Sequence, residues 1–177
     1  MSGIGGFPKP GGAGGGGGKT LLAAFTAAGG ETAASFAGLP EGFIDLEIVM
    51  SLRGSTAASV NLRLNESVAA VYDKYRQFGG FAQGGDQQTG QTAFGDILSV
   101  NAVQFTEGRF NIFNYRKSDR WKYLHGQCAI MNGTSSSDGY VVNTGGKWRD
   151  TAAVSRLDLY LTAGNFAADS EIRLYGM

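Results

Sequence analysis

Apolar and polar residues alternate strictly in several segments of this chain, and this pattern limits the folds open to it. In residues 43–52 every even position is apolar, whereas the odd positions include Asp45, Glu47 and Ser51. The same period of two recurs in three further segments, 60–65, 156–161 and 171–175. Because successive side chains of a β-strand point to opposite faces, the pattern predicts strands that each bury one face.

Weaker alternation predicts additional strands at 20–26, 31–37, 97–105, 109–115, 121–131 and 139–149. Turn dipeptides such as Gly29-Gly30 and Gly164-Asn165 separate these segments. About ten short strands at this spacing predict an all-β, antiparallel β-sandwich, because a sheet with one apolar face needs a second sheet to cover it.

Two neighbouring segments do not follow the alternation. In residues 68–78 the apolar side chains fall at helical spacing, which fits a short helix, while an extended segment that carries Tyr72 and Tyr75 fits equally well. Residues 79–95 are rich in glycine and glutamine and predict a long exposed loop.

Glycine accounts for 29 of the 177 residues and is concentrated in residues 1–18. So much glycine is costly to order, so we expect residues 1–18 to form an extended attachment arm and residues 19–177 to form a single β-sandwich domain. Prolines lower the entropy lost on docking, and glycines let the backbone lie close to a partner. The expected anchoring residues of the arm are Ile4, Phe7, Pro8 and Pro10.

Residues 13–20 read like a phosphate-binding loop that ends in Lys-Thr, but the surrounding sequence does not fit that function. The first glycine of the motif is replaced by Ala13, and residues 7–10 cannot form the buried strand that such a loop follows. His125 and Cys128 are the only histidine and cysteine, so a metal site lacks ligands. We therefore expect no cofactor, no metal and no catalytic residues.

Charge and hydropathy exclude further classes. Fifteen basic and fifteen acidic residues give zero formal net charge, which argues against nucleic-acid binding. No apolar run approaches the ~18 residues of a membrane span, so we expect no membrane insertion. The N-terminus lacks the basic start and apolar stretch of a secretory signal.

Basic and aromatic residues are interleaved in 109–123, a composition that suits a protein interface or a sugar-stacking surface. It equally fits the exposed face and connecting turn of two strands. The candidate ligand or partner surface consists of Trp121, Tyr123, Tyr140, Trp148, Arg116 and Arg120.

Several segments together carry a resemblance: Lys19-Thr20-Leu21-Leu22, residues 31–36, Gly38-Leu39-Pro40, residues 43–48, Gly164-Asn165-Phe166 and the ending Ser170-Glu171-Ile172-Arg173-Leu174-Tyr175-Gly176-Met177. In this order they resemble small virion proteins of tailed bacteriophages, of the tail-fibre, head-fibre and decoration types. The resemblance covers residues 19–65 and 154–177. It implies a jelly-roll-like β-sandwich and brings no catalytic residues.

We therefore expect a non-enzymatic virion structural protein, made in the host cytoplasm and displayed on the particle as a fibre, knob or decoration protein. Its arm would attach to capsid, portal, tail or fibre components, and the chain would form a homo-oligomer, for instance a trimer. The alternative is a carbohydrate- or receptor-binding β-sandwich, such as a tail-fibre tip that meets a host surface glycan. In the terminal motif, Ile172 and Leu174 are expected to point inward and Gly176 to allow a bend.

Overall fold

The computed structural model describes residues 18–80, 83–131 and 139–177, and in this part of the chain it contains twelve β-strands and no helix. Their bounds in chain order are β1 Thr20–Thr26, β2 Ala33–Ala37, β3 Leu46–Leu52, β4 Ala58–Leu64, β5 Tyr72–Gly80, β6 Gly84–Gln91, β7 Phe94–Val100, β8 Thr106–Phe113, β9 Lys122–Met131, β10 Gly139–Trp148, β11 Arg156–Leu161 and β12 Glu171–Gly176. Every neighbouring pair is antiparallel, which confirms the predicted fold class.

The strands form an eight-stranded sheet in the order β1-β12-β3-β8-β9-β10-β5-β6 and a four-stranded sheet in the order β2-β11-β4-β7. Four strands of the large sheet, β1-β12-β3-β8, match the four of the small sheet in the interleaved order of a jelly roll. The remaining strands, β5, β6, β9 and β10, extend the large sheet beyond this eight-stranded core. The jelly-roll-like sandwich implied by the resemblance is thus the observed architecture.

The terminal motif forms the strand β12, which lies between β1 and β3. Ile172 and Leu174 point into the core and are fully buried, as predicted. Gly176 has a different role from the bend expected of it. Its backbone is ordinary extended strand, but a Cβ at this position would lie 2.4 Å from Cγ of Phe43, so glycine leaves room for that ring.

Hydrophobic side chains from both sheets meet in one core between them. Phe166, which follows the Gly164-Asn165 turn, is fully buried and packs edge-on against Phe25, with the ring centroids 5.8 Å apart. Gly164 itself has φ +65°, a left-handed conformation that glycine adopts without strain. The turn predicted at Gly164-Asn165 is confirmed, and Phe166 after it closes this end of the core.

The structure differs from the helix considered for residues 68–78 and from the loop predicted for residues 79–95. The first contains the strand β5 rather than a helix, so its extended alternative is right. In the described part of the second, β6 replaces the predicted loop and pairs with β5 as the edge of the large sheet. The inward side of β5 carries the charged residues Lys74 and Arg76, so apolar and polar residues do not alternate along this strand. The strand β6 is exposed on both faces and therefore has no pattern of apolar residues.

The weaker predicted strands agree closely at β1, β9 and β10, whereas β7 and β8 each begin three residues before the predicted start. The described residues contain no helix long and apolar enough to cross a membrane.

Candidate functional site

The four strands outside the jelly-roll core, β5, β6, β9 and β10, are here called the extension. The small sheet ends at β7, so the extension has an outer face that points away from the sandwich and an inner face that runs past the edge of β7. Each face presents a different candidate site.

The outer face of the extension carries exposed aromatic residues. Tyr75 on β5 is 42% exposed, Tyr123 on β9 is 48% exposed and Trp121, which precedes β9, is 41% exposed. The Nζ atom of Lys147 lies 5.5 Å from the centre of the Trp121 ring, a cation–π contact. Three large exposed aromatic side chains, two on paired strands and one directly before β9, indicate an interaction surface.

The strand register places these aromatic residues around a glycine. Gly145 of β10 pairs with His125 on one side and with Tyr75 on the other. A Cβ built at Gly145 would meet no atom within 4 Å, so the neighbouring side chains leave the space above it open. We call this opening the Gly145 cleft. Strands are about 4.8 Å apart, so the backbones of His125 and Tyr75 lie about 9.6 Å apart on either side of it.

The next row of the same face is polar but uncharged. Gln127 on β9, Asn143 on β10 and Gln77 on β5 are paired side by side in the register, and all three are exposed. Each carboxamide both donates and accepts hydrogen bonds. We call the exposed set Tyr75, Gln77, Trp121, Tyr123, His125, Gln127 and Asn143 the amide–aromatic face.

Charged groups lie at the margin of this face and are paired. Asp73 accepts contacts from Lys147 at 3.4 Å and from Arg149 at 3.3 Å, and its side chain is 5% exposed. On β8, Arg109 lies 3.5 Å from the buried carboxylate of Glu47. The centre of the face is therefore nearly neutral.

A buried lysine holds the loop that carries Trp121. The Nζ atom of Lys122 donates to the backbone carbonyls of Lys117, Arg120 at 3.0 Å and Thr151 at 2.8 Å, and Lys122 is fully buried. Burial lowers the pKa of Lys122. Because three carbonyls converge on one amine, the loop has a fixed position next to β9.

The inner face forms a groove of about 320 Å³ beside the edge strand β7. Its apolar lining consists of Phe78, Cys128, Ile130, Tyr140 and Val142, and its polar lining of Arg76, Asp96 and Ser99. We call it the β7 groove.

Side chains of the extension satisfy the carbonyls on the free edge of β7. Lys74 donates to the carbonyl of Gly95 at 2.6 Å, and Arg76 donates to that of Asp96 at 3.3 Å. Inward-pointing charges of this kind keep an edge strand from pairing with another chain. Burial lowers the pKa of Lys74, and the nearby Arg76 lowers it further.

Two carboxylates balance these cations. Arg76 binds both oxygens of Asp86, with Nε at 3.0 Å from Oδ1, and this pairing lowers the pKa of Asp86. Burial alone would raise the pKa of Asp96, but a hydrogen bond from Ser59 and the charges of Lys74 and Arg76 outweigh it and lower the value. The cluster holds two positive and two negative groups, so it gives the groove no net charge.

The structure separates the residues predicted as one ligand surface. Trp121 and Tyr123 lie together on the amide–aromatic face, whereas Tyr140 lines the β7 groove on the opposite side of the sheet. Trp148 is only 1% exposed and stacks on Tyr72 in the core, with ring centroids 6.2 Å apart. Its prediction as a surface stacking residue is therefore wrong, because it occupies an inward position of β10.

The two predicted arginines are engaged in other contacts. Arg116 pairs with Glu41 and donates to the carbonyl of Val154 at 3.4 Å. Arg120 forms two hydrogen bonds of 2.8 Å with its neighbour Asp119. The arm residues Ile4, Phe7, Pro8 and Pro10 lie outside the described residues.

Sequence reasoning missed Tyr75, Gln77, Gln127 and Asn143 as members of a surface. The available signal was the period of two in β9 and β10, which assigns Gln127 and Asn143 to outward positions. Tyr75 could not be found in this way, because only the pairing of β5 with β10 brings it next to Gly145.

His125 and Cys128 do not form a reactive pair. His125 is exposed on the outer face, whereas Cys128 is buried on the inner face. Burial raises the pKa of the Cys128 thiol to about 12, so it is almost entirely protonated near neutral pH. Among residues 18–80, 83–131 and 139–177, no group of three His, Cys, Asp or Glu side chains is arranged to hold a metal ion.

Comparison of the chain with known protein families, with curated proteins and with solved structures finds no match.

Proposed function

We propose that this chain is a non-enzymatic virion protein of a tailed bacteriophage, displayed on the particle and attached through residues 1–18. One observation carries the proposal. The two segments that resemble phage virion proteins, 19–65 and 154–177, contain β1–β4, β11 and β12. These are six of the eight strands of the jelly-roll core, and they are contiguous in both sheets.

The strands that carry the resemblance therefore lie next to one another in the fold. Its strands form one half of the sandwich, β1-β12-β3 facing β2-β11-β4, and the terminal motif supplies the strand between β1 and β3. The middle of the chain forms the other half together with the extension. Jelly rolls are common in viral capsid proteins and in lectins, so the architecture agrees with the proposed role but also occurs in proteins of other functions.

The geometry also supports an attachment at one edge of the large sheet. Lys19 follows the arm directly and binds both carboxylate oxygens of Glu47, at 2.6 and 2.7 Å. Glu47 is almost fully buried, so this contact fixes the point at which the chain enters β1. The extension ends at β6, the opposite edge, seven strand spacings or about 34 Å away. A molecule held by its arm at β1 would present the extension outward.

The partners proposed for the arm are capsid, portal, tail or fibre components, with a homo-oligomer as the assembled form. Sedimentation of the purified chain with and without residues 1–18 tests whether the arm also contributes to self-association. A lower mass in the absence of the arm is expected if arms of neighbouring copies interact.

The test of the proposal uses the phage or prophage whose genome encodes the chain. Particles are purified from cells that make the full chain or a variant lacking residues 1–18, and their proteins are identified by mass spectrometry. We expect the full chain in the particles and the variant, with an unchanged circular dichroism spectrum, in the soluble fraction. Particles that contain the shortened chain at the normal level would contradict attachment through the arm.

A further inference from the structure

We propose that the amide–aromatic face is a binding site for a neutral glycan, with one sugar ring seated in the Gly145 cleft between Tyr75 and the pair Tyr123 and His125. The inference concerns the outer face of the extension alone. It does not rest on the proposed virion role, and attachment through residues 1–18 can fail without affecting it.

The open space above Gly145 lies between two ring-bearing residues. Its floor is the backbone of Gly145, above which no side chain lies within 4 Å. It is flanked by Tyr75 and His125, whose backbones lie about 9.6 Å apart across the paired strands. Aromatic faces pack well against the apolar C–H face of a pyranose, and Tyr75 and Tyr123 are both more than two-fifths exposed.

The polar groups beside the cleft suit hydroxyl groups. Gln127, Asn143 and Gln77 form the adjacent row, about 6.8 Å along the strands from the cleft. Carboxamides offer a donor and an acceptor without a charge, which is what a sugar hydroxyl needs. The extended surface can therefore contact more than one sugar unit.

The charge distribution favours a neutral ligand over other macromolecules. A nucleic acid requires cations for its phosphates, but Lys147 already pairs with Asp73 and Arg109 lies near Glu47. The core of a protein interface is enriched in aromatic residues, methionine and arginine. This face shares the aromatic residues and the exposed Val141, but its central row holds the carboxamides of Gln77, Gln127 and Asn143 and no arginine. The row of carboxamides and the paired charges at the margin favour an uncharged, hydroxyl-rich polymer.

The site is also preorganised. The strands β9 and β10 are paired on both sides, and Lys122 fixes the loop before Tyr123 through three carbonyls. Binding therefore requires little ordering of the backbone, which lowers its entropic cost.

Affinity electrophoresis of the purified full chain tests the proposal. The gels contain dextran, mannan or galactomannan as neutral probes and polygalacturonate as an anionic probe, and soluble chitin oligosaccharides are tested by calorimetry. We expect retardation or heat with at least one neutral probe, and weaker retardation with polygalacturonate. Binding to none of the neutral probes, or stronger binding to polygalacturonate, would overturn the proposal.

Two glycine substitutions provide a matched pair. A Cβ at Gly145 or at Gly79 would meet nothing within 4 Å, and neither glycine has a positive φ. Valine is the substitution chosen at both, because a β-branched residue suits a strand. Gly145→Val fills the cleft and is expected to weaken binding at least tenfold. Gly79→Val, four residues from Tyr75 on the same face, is expected to leave binding unchanged. Equal affinity of both variants would contradict the position of the site.

The aromatic contribution is tested separately. The double variant Tyr75→Ala/Tyr123→Ala is expected to lose at least tenfold in affinity, whereas Tyr75→Phe/Tyr123→Phe keeps most of it because the rings remain. Tyr160→Ala, on the small sheet, is the control for loss of an aromatic residue. If the full chain is a dimer that the alanine pair converts to a monomer, the face is a protein interface and the glycan proposal is wrong.

Discussion

Alanine at position 176 is expected to destabilise the protein through one neighbouring ring, Phe43. A Cβ at Gly176 would lie 2.4 Å from Cγ and 2.6 Å from both Cδ atoms of Phe43. The backbone there is not left-handed, so alanine meets no conformational strain. Overpacking of this kind lowers the free energy of unfolding by about 1–3 kcal/mol. Alanine also restricts the unfolded chain more than glycine does, which raises the free energy of unfolding by about 0.4–1 kcal/mol.

The net loss is therefore about 1–2 kcal/mol, which lowers the melting temperature by roughly 2–8 °C for a chain of this size. Urea unfolding followed by tryptophan fluorescence measures it, since Trp148 is buried in the core. The control is a double-mutant cycle with Phe43→Ala. In that background Gly176→Ala is expected to be neutral or slightly stabilising, because the clashing ring is gone.

An equal loss from Gly176→Ala with and without Phe43 would refute this explanation of the terminal glycine. So would a neutral effect in the wild-type background. A loss that depends on Phe43 would show that the glycine of the Leu-Tyr-Gly ending is required for packing within this fold.

Four further predictions follow from buried and paired groups. Lys122→Met should lower the free energy of unfolding by about 3 kcal/mol, since three carbonyls lose a donor worth about 1 kcal/mol each; chemical denaturation measures the loss. Cys128 should resist a thiol reagent such as Ellman's reagent at pH 8 until the protein unfolds, because burial raises its pKa to about 12. Burial raises the pKa of Tyr72 from 10 to about 12, so its contribution to stability is complete below pH 10 and is lost as pH rises towards 12. Urea titrations at a series of pH values should show that Tyr72→Phe loses less stability than the wild type over this alkaline range. The pKa of Asp86 is lowered from 3.8, so its contribution is present above about pH 4 and lost as pH falls further, a dependence that Asp86→Asn should reduce in acid denaturation.

Strands with one entirely apolar, buried face could be predicted from the sequence. The segments containing β3, β4, β11 and β12 alternate strictly because their inward residues are aliphatic and their outward residues are largely polar. The strand β5 has no such signal, because Lys74 and Arg76 point inward and donate to carbonyls of β7. From the sequence alone, a charged side chain that donates to the backbone of a neighbouring strand cannot be told from one that faces solvent.

The candidate site could be predicted only in part. Trp121 and Tyr123 are close in sequence, and the period of two places them on one face. Trp148 looked equivalent, but its inward position in β10 makes it part of the core. Tyr75 joins the site through the pairing of β5 with β10, a contact across about seventy positions of sequence. Register of this kind is set by the whole sheet rather than by a local pattern.

The most direct test of the proposed role is immunogold electron microscopy of intact particles, with an antibody raised against the folded full chain. The particles are those of the phage or prophage that, under the proposal, encodes the protein. If the protein is displayed on the virion, gold label should decorate purified particles at a defined position, and particles of a phage from which the gene is deleted should carry none. Unlabelled particles, with all of the protein in the soluble fraction of the lysate, would contradict the account.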